Sequence, residues 1–248
     1  MSFKNWRAPL LVFLAVTLLA SFAQADRVDD LVRIHLEALG GRDRVEALAA
    51  VRATGHVLTA GKRMNFYMIA ARPARLRLEM EAAGRTMVQA CDGVEPAWEF
   101  DTGTWPPRYK PMAEASAKTF QADAEFDDPM VGGAARGYAF EFGGEVQTDG
   151  KTHLRLLVTR KLTESFMLLL DAQTYLIAMR IEKRMTANGS SVQITTRFED
   201  YRPVEGVLLA HKVTVIVDGK ATQQSIIESI QPNPAYSADT FTRPKAAK

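Results

Sequence analysis

The residues that most often carry catalysis or bind metal ions are few in this sequence, and they are scattered along it. No glycine-x-serine-x-glycine or serine-x-x-lysine motif offers an activated nucleophile, and no short spacing of His or Cys is typical of a metal site. The sequence therefore predicts neither a metal nor a cofactor, identifies no catalytic residue, and favours a protein that is not an enzyme. The four histidines are spread over different predicted elements: His35, His56, His153 and His211.

Two adjacent acids, Asp127 and Asp128, are the strongest remaining candidates for chemistry. They stand before Pro129 at the end of a predicted helix, where acidic residues usually form a solvated turn. A paired-carboxylate active site would also need a partner that the periodicity of the sequence does not supply. We therefore expect a solvent-exposed turn at this position.

Cys91 is the only cysteine of the chain, which excludes an internal disulfide. At the end of a predicted strand, such a residue is expected to be a small buried hydrophobic side chain. The alternatives are a disulfide to another molecule or a reactive thiol, although no histidine near Cys91 in the sequence would activate it.

The first 25 residues have the pattern of a secretory signal peptide. Lys4 and Arg7 form a positively charged start, an apolar stretch covers residues 10–20, and Ala23-Gln24-Ala25 supplies the small residues that signal peptidase recognises. We expect cleavage after Ala25 and a periplasmic location. A retained membrane anchor is the alternative, but the apolar stretch is short for a membrane span.

The remaining chain, residues 26–248, has a length that suits one large β domain or two small ones, and because its sequence shows no domain boundary we expect a single domain. The protein has 31 basic and 29 acidic residues, and because residues 1–25 hold two of the basic residues and no acid, the rest is formally neutral. A hydrophobic content of 47% is enough for a core. The sequence has no basic block, so nucleic acid is not an expected partner.

The elements that would position functional residues are helices first and strands afterwards. Residues 26–41 and 42–51 have helical spacing of apolar residues, and residues 112–126 form a third, central helix. Elsewhere apolar and polar residues alternate, which predicts strands over 51–60, 63–71, 74–80, 85–90, 138–147, 152–160, 175–185, 191–201, 206–217 and 221–230.

Three dipeptides, Asp149-Gly150, Asn188-Gly189 and Asp218-Gly219, separate consecutive strand candidates. Both residues of such a pair adopt positive φ in tight hairpin turns, so the dipeptides predict an antiparallel meander. No strand–helix–strand alternation supports a parallel sheet. We therefore predict a mainly β (α+β) fold, in which a curved antiparallel sheet of about 11 strands is capped by the N-terminal and central helices.

The alternation assigns an apolar face and a charged face to the sheet. In the segment RPARLRLEM, Leu76, Leu78 and Met80 share the apolar face. The charged face, which includes Arg75 and Arg77, is expected to meet water. The apolar face is spaced like an ordinary core, and the pattern alone favours a filled core over a pocket beneath the helices.

Several stretches resemble one known family. ARPARLRLEM, VQACDGVEPAWEFD and DTFTRP occur in the order found in the LolA/LolB-like superfamily of periplasmic lipoprotein carriers, and FEDYRPVEGVLLAHKVTVIVDGK is similar to its outer-membrane lipoprotein-sorting proteins. The resemblance covers most of residues 26–248 and is weakest over 103–150. It implies an unclosed half-barrel with helices as a lid, and a hollow that takes acyl chains.

The resemblance also implies functional residues. The arginine that latches the lid in the family corresponds to Arg72, whose alternative is a surface arginine beside a turn. Aromatic lining positions of the family fall on leucines here, so the hollow would be aliphatic. The candidates for its wall are Leu76, Leu78, Met80, Trp98, Phe100, Tyr175, Ile177, Met179 and Phe198.

The resulting hypothesis is a periplasmic, non-enzymatic carrier or binding protein, monomeric, for the acyl chains of a lipoprotein or another lipid. A membrane-bound protein could donate or accept this cargo. The alternative is an interaction or sensor module on the same fold, which would bind a protein partner through a sheet edge or through the loop TGTWPPRYKP. In that case Trp105 and Tyr109 are expected to be exposed.

Overall fold

The computed structural model describes residues 27–160, 164–186, 189–237 and 239–244. The signal peptide predicted over residues 1–25, its cleavage after Ala25, and Asn188 of one predicted hairpin lie outside the described residues. No helix in the described ranges is long and apolar enough to cross a membrane. The helices of these ranges are α1 over 27–38, α2 (Arg42–Ala47), α3 (Glu114–Asp123) and a short 3₁₀ turn (Ala134–Arg136).

Thirteen strands in the described residues form one antiparallel sheet, with the order β6-β5-β4-β3-β2-β1-β13-β12-β11-β10-β9-β8-β7. The two ends of this order are edges, so the sheet is unclosed. The strands are β1 (Ala50–Thr59), β2 (Lys62–Ala71), β3 (Arg75–Ala82), β4 (Arg85–Cys91), β5 (Trp98–Asp101), β6 (Lys110–Pro111), β7 (Tyr138–Thr148), β8 (Lys151–Arg160), β9 (Glu164–Asp171), β10 (Ile177–Met185), β11 (Ser191–Val204), β12 (Val207–Val217) and β13 (Lys220–Pro232).

The predicted fold class is confirmed, with two strands more than the expected number of about 11. The ten ranges predicted from alternation missed β5 and β6, which have only four and two residues, and β9, whose run of apolar residues hides its period of two. The hairpins predicted at Asp149-Gly150 and Asp218-Gly219 are present, and all four residues have positive φ.

The helices pack on one face of the sheet, which we refer to as the inner face. Val28 and Leu31 of α1 join a core with Leu156 of β8 and Leu168 of β9. The end of α1 and the short helix α2 share a second core with the start of β12. Ala117 and Phe120 of α3 pack against Cys91 and Leu76 at the ends of β4 and β3.

The sheet is strongly curved, as contacts of α3 show. Phe120 packs near Leu76 of β3, whereas Asp123 at the end of the same helix pairs with Arg184 of β10 at 2.8 Å. Six steps between neighbouring strands separate β3 from β10, which is about 29 Å in a flat sheet. A short helix can touch both strands only because the sheet curls around its inner face.

The outer face over β1 to β4 is covered by the C-terminal segment. Phe241 is 2% exposed and packs with Ile69 of β2. The guanidinium of Arg75 lies 5.7 Å from the Phe241 ring, and Arg77 donates a hydrogen bond to the Thr240 carbonyl at 3.2 Å. The expectation that these arginines face open water was therefore wrong, because a distant segment folds back over them.

Candidate functional site

One part of the inner face is apolar and yet has no helix in its core cluster. Ala53, Val57 and Phe66 are buried there, and the surrounding side chains remain partly exposed. The described members of this cluster all come from β1, β2, β3 and β13, in contrast to the cores beneath α1, α2 and α3. We refer to its partly exposed members as the aliphatic patch: Met68, Leu78, Met80, Ile227 and Ile230.

Leu78 and Met80, two of the residues predicted to line a hollow, belong to the aliphatic patch. Leu76, on the same side of β3, is instead covered by α3. Tyr175 and Phe198 pack against the core beneath α1, and Ile177 is buried within that core. The structure brings these residues to the inner face, but only Leu78 and Met80 belong to the aliphatic patch.

Trp98 and Phe100 lie on the outer face, contrary to the expectation of a common wall. Trp98 pairs with Ala90 and Phe100 with Val88, whereas the inner-face residue Leu76 pairs with Cys91. Because neighbouring residues of a strand point to opposite faces, this register separates the two aromatic residues from the leucines. Trp98 is 2% exposed, and its indole N–H donates to the Phe241 carbonyl at 2.9 Å.

Met179 also points to the outer face, because β10 contains a bulge. Ile177 pairs with Leu170 and Met179 with Leu169, so Ala178 is an extra residue in β10. An extra residue shifts the alternation by one, and every side chain that follows changes face. The bulge thereby turns Arg180, Glu182 and Arg184 toward the inner face, beside Leu168 and Phe166 of β9.

Arg72, at the end of β2, holds helix α2. Its guanidinium donates to the Val45 carbonyl at 2.7 Å and to the Glu46 carbonyl, and these are the last residues of the helix before Ala47. The contact to helix carbonyls is the one that the resemblance implies for a latch. Asp127 accepts from Nε of Arg72 at 2.7 Å and from a terminal nitrogen at 2.7 Å, so the arginine is held in a bidentate ion pair.

Asp127 belongs to a short acidic segment, residues 123–128, that begins with Asp123, the last residue of α3. Each of its four acids is paired with a basic side chain of a different element, so the segment ties together parts of the fold that are far apart in sequence. The expectation of a solvated turn was wrong. The pairs are Asp123 with Arg184 of β10, Glu125 with Arg160 of β8 and Arg136, Asp127 with Arg72, and Asp128 with His35 of α1.

His35 and Asp128 form a pair that joins α1 to the acidic segment. His35 is 1% exposed; its Nδ1 lies 2.8 Å from the Tyr175 carbonyl, which can only accept, and its Nε2 lies 3.2 Å from Asp128 Oδ2. Burial alone lowers the pKa of His35, but the hydrogen bond and the charge of Asp128 outweigh it, so the pKa lies above its ordinary value.

Asp128 shows the reciprocal effect. Burial raises the pKa of its carboxyl group. His35, the Met130 backbone N–H and the positive charge of Arg136 together lower it by more than burial raises it, so the pKa lies below its ordinary value. Both shifts favour the form in which an imidazolium faces a carboxylate. This buried ion pair connects α1, the acidic segment and the turn before β10.

Glu125 is at the centre of a second buried group. It accepts hydrogen bonds from Arg160 at 2.6 Å, from Arg136 at 3.2 Å and from the Tyr138 hydroxyl. Arg160 is 9% exposed and also pairs with Glu164 at 2.7 Å. Burial, followed by the hydrogen bond to Glu125, raises the pKa of Tyr138, so the phenol stays neutral and donates.

These partners were missed at the sequence level. Acids at positions 123, 125 and 127 alternate, which is a signal for an extended segment with one charged side, but the sequence does not indicate the elements that supply the arginines. Cys91 is 1% exposed, as expected for a buried hydrophobic residue. Burial raises the pKa of its thiol, which reduces its reactivity as a nucleophile.

The fold is shared with several solved structures. An outer membrane lipoprotein-sorting protein domain from Vibrio parahaemolyticus matches with a TM-score of 0.55 and 12% identity, covering 84% of this chain and 95% of that chain. A DUF1329 family protein from Desulfovibrio piger matches with a TM-score of 0.58 and 12% identity, covering 86% and 96%. A LolA superfamily protein from Nitrosomonas europaea matches with a TM-score of 0.50 and 11% identity, covering 84% and 96%.

No family model matches the sequence, and no curated protein matches it significantly. At 11–12% identity, the structural matches show the fold alone. The chain therefore has a LolA-like fold, which agrees with the resemblance found in the sequence.

Proposed function

We propose that this protein is a periplasmic, non-enzymatic carrier or binding protein for acyl chains of a lipoprotein or another lipid. The observation that carries the proposal is the aliphatic patch, a partly exposed apolar area on the inner face of a curved sheet, whose cluster contains no helix residue among those that the structure describes. In this proposal residues 1–25 are removed on secretion, and residues 26–248 act as one monomeric domain. A membrane-bound protein would donate or receive the cargo.

The burial of one acyl chain is sufficient for useful affinity without metal, cofactor or catalysis. Each methylene that leaves water contributes about 0.8 kcal/mol, so a long acyl chain contributes on the order of 10 kcal/mol before the cost of ordering it. Release then requires that the protein weaken this interaction by a few kcal/mol.

In this proposal Arg72 is the latch that controls the hollow. It joins β2 to the end of α2, and its ion pair with Asp127 joins both to the acidic segment after α3. A ligand that displaces the helices would break the hydrogen bonds of Arg72 to the Val45 and Glu46 carbonyls. These bonds can form again when the ligand leaves, so the latch favours the ligand-free arrangement of the helices.

The proposal is tested by native mass spectrometry of the protein, purified without detergent and then mixed with a fluorescent acyl lipid. Leu78→Glu places a charge in the aliphatic patch and is expected to abolish lipid binding, because the site would have to bury a carboxylate. Leu157→Glu is the matched control. Leu157 is 42% exposed on the outer face, where it pairs with Met167, so this variant is expected to bind like the wild type.

Circular dichroism confirms that both variants are folded. A lipid adduct in the wild type and in Leu157→Glu, absent from folded Leu78→Glu, supports the carrier. Wild-type protein that carries no lipid and takes up no fluorescent acyl lipid contradicts it.

A second candidate function, a module that binds a protein partner, is favoured by the loop before β6. Trp105 is 92% exposed, and Val94 in the preceding loop is 87% exposed. A groove of about 970 Å³ on the same part of the chain is lined by Trp98, Tyr109 and Phe241, among others. Exposed aromatic side chains such as Trp105 and Tyr109 are typical of interaction sites.

A photo-reactive amino acid at position 105 tests this alternative in cells. The module predicts a cross-link to one specific partner protein, lost when the reactive group is moved to position 58, where Leu58 is 41% exposed. Equal cross-linking at both positions contradicts it.

A further inference from the structure

The inner face is not apolar throughout, because β10 presents charged residues there. By register, Arg180 stands between Leu168 of β9 and Thr196 of β11, and Val215 of β12 follows in the same row. The aliphatic patch lies further along the curved face. The inner face therefore has an aliphatic part and a part that carries arginines.

The charges on β10 do not balance without α3. Glu182 accepts from Arg180 at 2.8 Å and from Nε of Arg184 at 2.7 Å, so one carboxylate serves two guanidinium groups. Asp123, at the end of α3, supplies the second carboxylate by pairing with Arg184 at 2.8 Å. If α3 moves to admit a ligand, Asp123 leaves, and the inner face of β10 keeps two arginines against one glutamate, an excess of one positive charge.

Both arginines can be reached by a ligand. The side chains of Arg180 and Arg184 are 27% and 29% exposed, whereas Glu182 is 12% exposed beneath them. The Arg180 guanidinium lies over the Phe166 ring at 4.3 Å, and its Nε has no hydrogen-bond partner in the described residues. Arg160 differs, since it is 9% exposed and occupied by Glu125 and Glu164.

We propose that Arg180 and Arg184 bind the anionic head group of an amphiphile whose acyl chain lies on the aliphatic patch. The ligand class is a lipid with an exposed oxyanion, a phosphate monoester or a carboxylate, and the oxyanion takes the place of Asp123 on Arg184. Guanidinium groups suit this role because they bind such oxyanions with charge-assisted hydrogen bonds. This inference rests on the proposed function and specifies its substrate.

The test compares two probes that differ only in the head group, 1-oleoyl-lysophosphatidic acid and 1-monooleoylglycerol, with inorganic phosphate as a third. Isothermal titration calorimetry of the delipidated protein is carried out below the critical micelle concentrations. We expect the phosphate lipid to bind about tenfold more tightly than the neutral lipid, and inorganic phosphate alone not to bind or compete.

Variants of the two arginines test whether the preference for the phosphate lipid comes from β10. Arg184→Gln and Arg180→Gln are each expected to weaken the binding of the phosphate lipid about tenfold. The affinity for the neutral lipid is expected to stay within about twofold of the wild-type value. Lys183→Gln is the matched control, because Lys183 lies between them on the same strand, exposed and on the outer face, and no change is expected. Thermal unfolding verifies that the variants are folded.

Asp123→Asn is expected to change the affinity for the phosphate lipid in the opposite direction. Because this variant removes the carboxylate that competes for Arg184, it is expected to bind the phosphate lipid severalfold more tightly than the wild type. If the pair of Asp123 and Arg184 had a purely structural role, Asp123→Asn would weaken the binding of both lipids equally.

The outcomes separate the two levels of the proposal. Equal affinity for both lipids, or weaker binding of the phosphate lipid by Asp123→Asn, overturns the head-group site and leaves the carrier intact. Competition by inorganic phosphate alone also overturns it, since the site would then recognise a free anion. Failure of both lipids to bind overturns the proposed function itself.

Discussion

Asp127 and Asp128 are adjacent in the chain, yet they hold two different helices against the sheet. Asp127 forms a bidentate pair with Arg72, which donates to the last carbonyls of α2, whereas Asp128 pairs with the buried His35 of α1. One dipeptide thus connects both N-terminal helices. The two connections differ in chemistry, because an arginine stays charged at any ordinary pH and a histidine does not.

Asp127→Asn is expected to lower the free energy of unfolding by about 1–3 kcal/mol, because it leaves the partly buried Arg72 without its counter-charge. The variant should also speed amide hydrogen exchange in α2. Denaturant unfolding and exchange mass spectrometry measure the two effects. Glu46→Gln is the control, since its side-chain pair with Arg42 is more than half exposed and should matter by less than about 0.5 kcal/mol. Equal costs for the two variants would argue against the role of Arg72.

The pair of His35 and Asp128 predicts a pH-dependent stability. Because the pKa of His35 is raised in the folded state, its contribution is complete below about pH 6.5 and is lost as the pH rises through the folded pKa. The lowered pKa of Asp128 makes its contribution complete above about pH 3.9 and lost as the pH falls. The pair therefore stabilises the fold most between these two values.

His35→Gln tests this dependence, because glutamine can still donate to the Tyr175 carbonyl but does not titrate. Unfolding in urea at pH 6 and at pH 9 is expected to show a loss of stability in the wild type that is smaller in the variant. His56→Gln is a suitable control, since His56 pairs with Glu228, which is 55% exposed. The same pH profile in the wild type and in His35→Gln would contradict the prediction.

Phe241 is expected to anchor the C-terminal segment on the outer face. It is 2% exposed, so Phe241→Ala should cost about 3–5 kcal/mol through the cavity that it leaves. Tyr236→Ala, in the same segment but 36% exposed, should cost less than about 1 kcal/mol. Chemical unfolding compares them; a negligible cost for Phe241→Ala would mean that this segment does not seal the face over Arg75 and Arg77.

Variants of Gly40 and Gly41 test how closely the end of α1 packs against the turn before β12. A Cβ atom at Gly40 would lie 1.9 Å from the Gly206 carbonyl oxygen, whereas one at Gly41 would meet nothing within 4 Å, and both residues have positive φ. Gly41→Ala therefore measures backbone strain alone, about 1–2 kcal/mol. Gly40→Ala adds the clash with the turn before β12, and thermal unfolding should show a cost of about 3 kcal/mol or more. Similar costs would show that the turn moves aside easily.

The sequence by itself was sufficient for the fold class, because its signals are local. A period of two and Asp-Gly turns identify hairpins within a few residues, and Leu78 and Met80 follow on the inner face from simple alternation in a regular strand. The resemblance around Arg72-Pro73 implied a latch that contacts helix carbonyls, and the role of Arg72 as a latch stays a prediction.

Only the tertiary structure decided which side chains meet. The extra residue Ala178 reverses the faces of β10, which moved Met179 outward and Arg180 inward, and no period in the sequence reveals a bulge. The four-residue strand β5 is too short for its alternation to indicate which side chains point to which face. The faces of Trp98 and Phe100 are therefore known only from the register of β5 against β4. The partners of the acidic segment and the cover over Arg77 come from residues far away in the chain, and such contacts arise from curvature and packing rather than from local pattern.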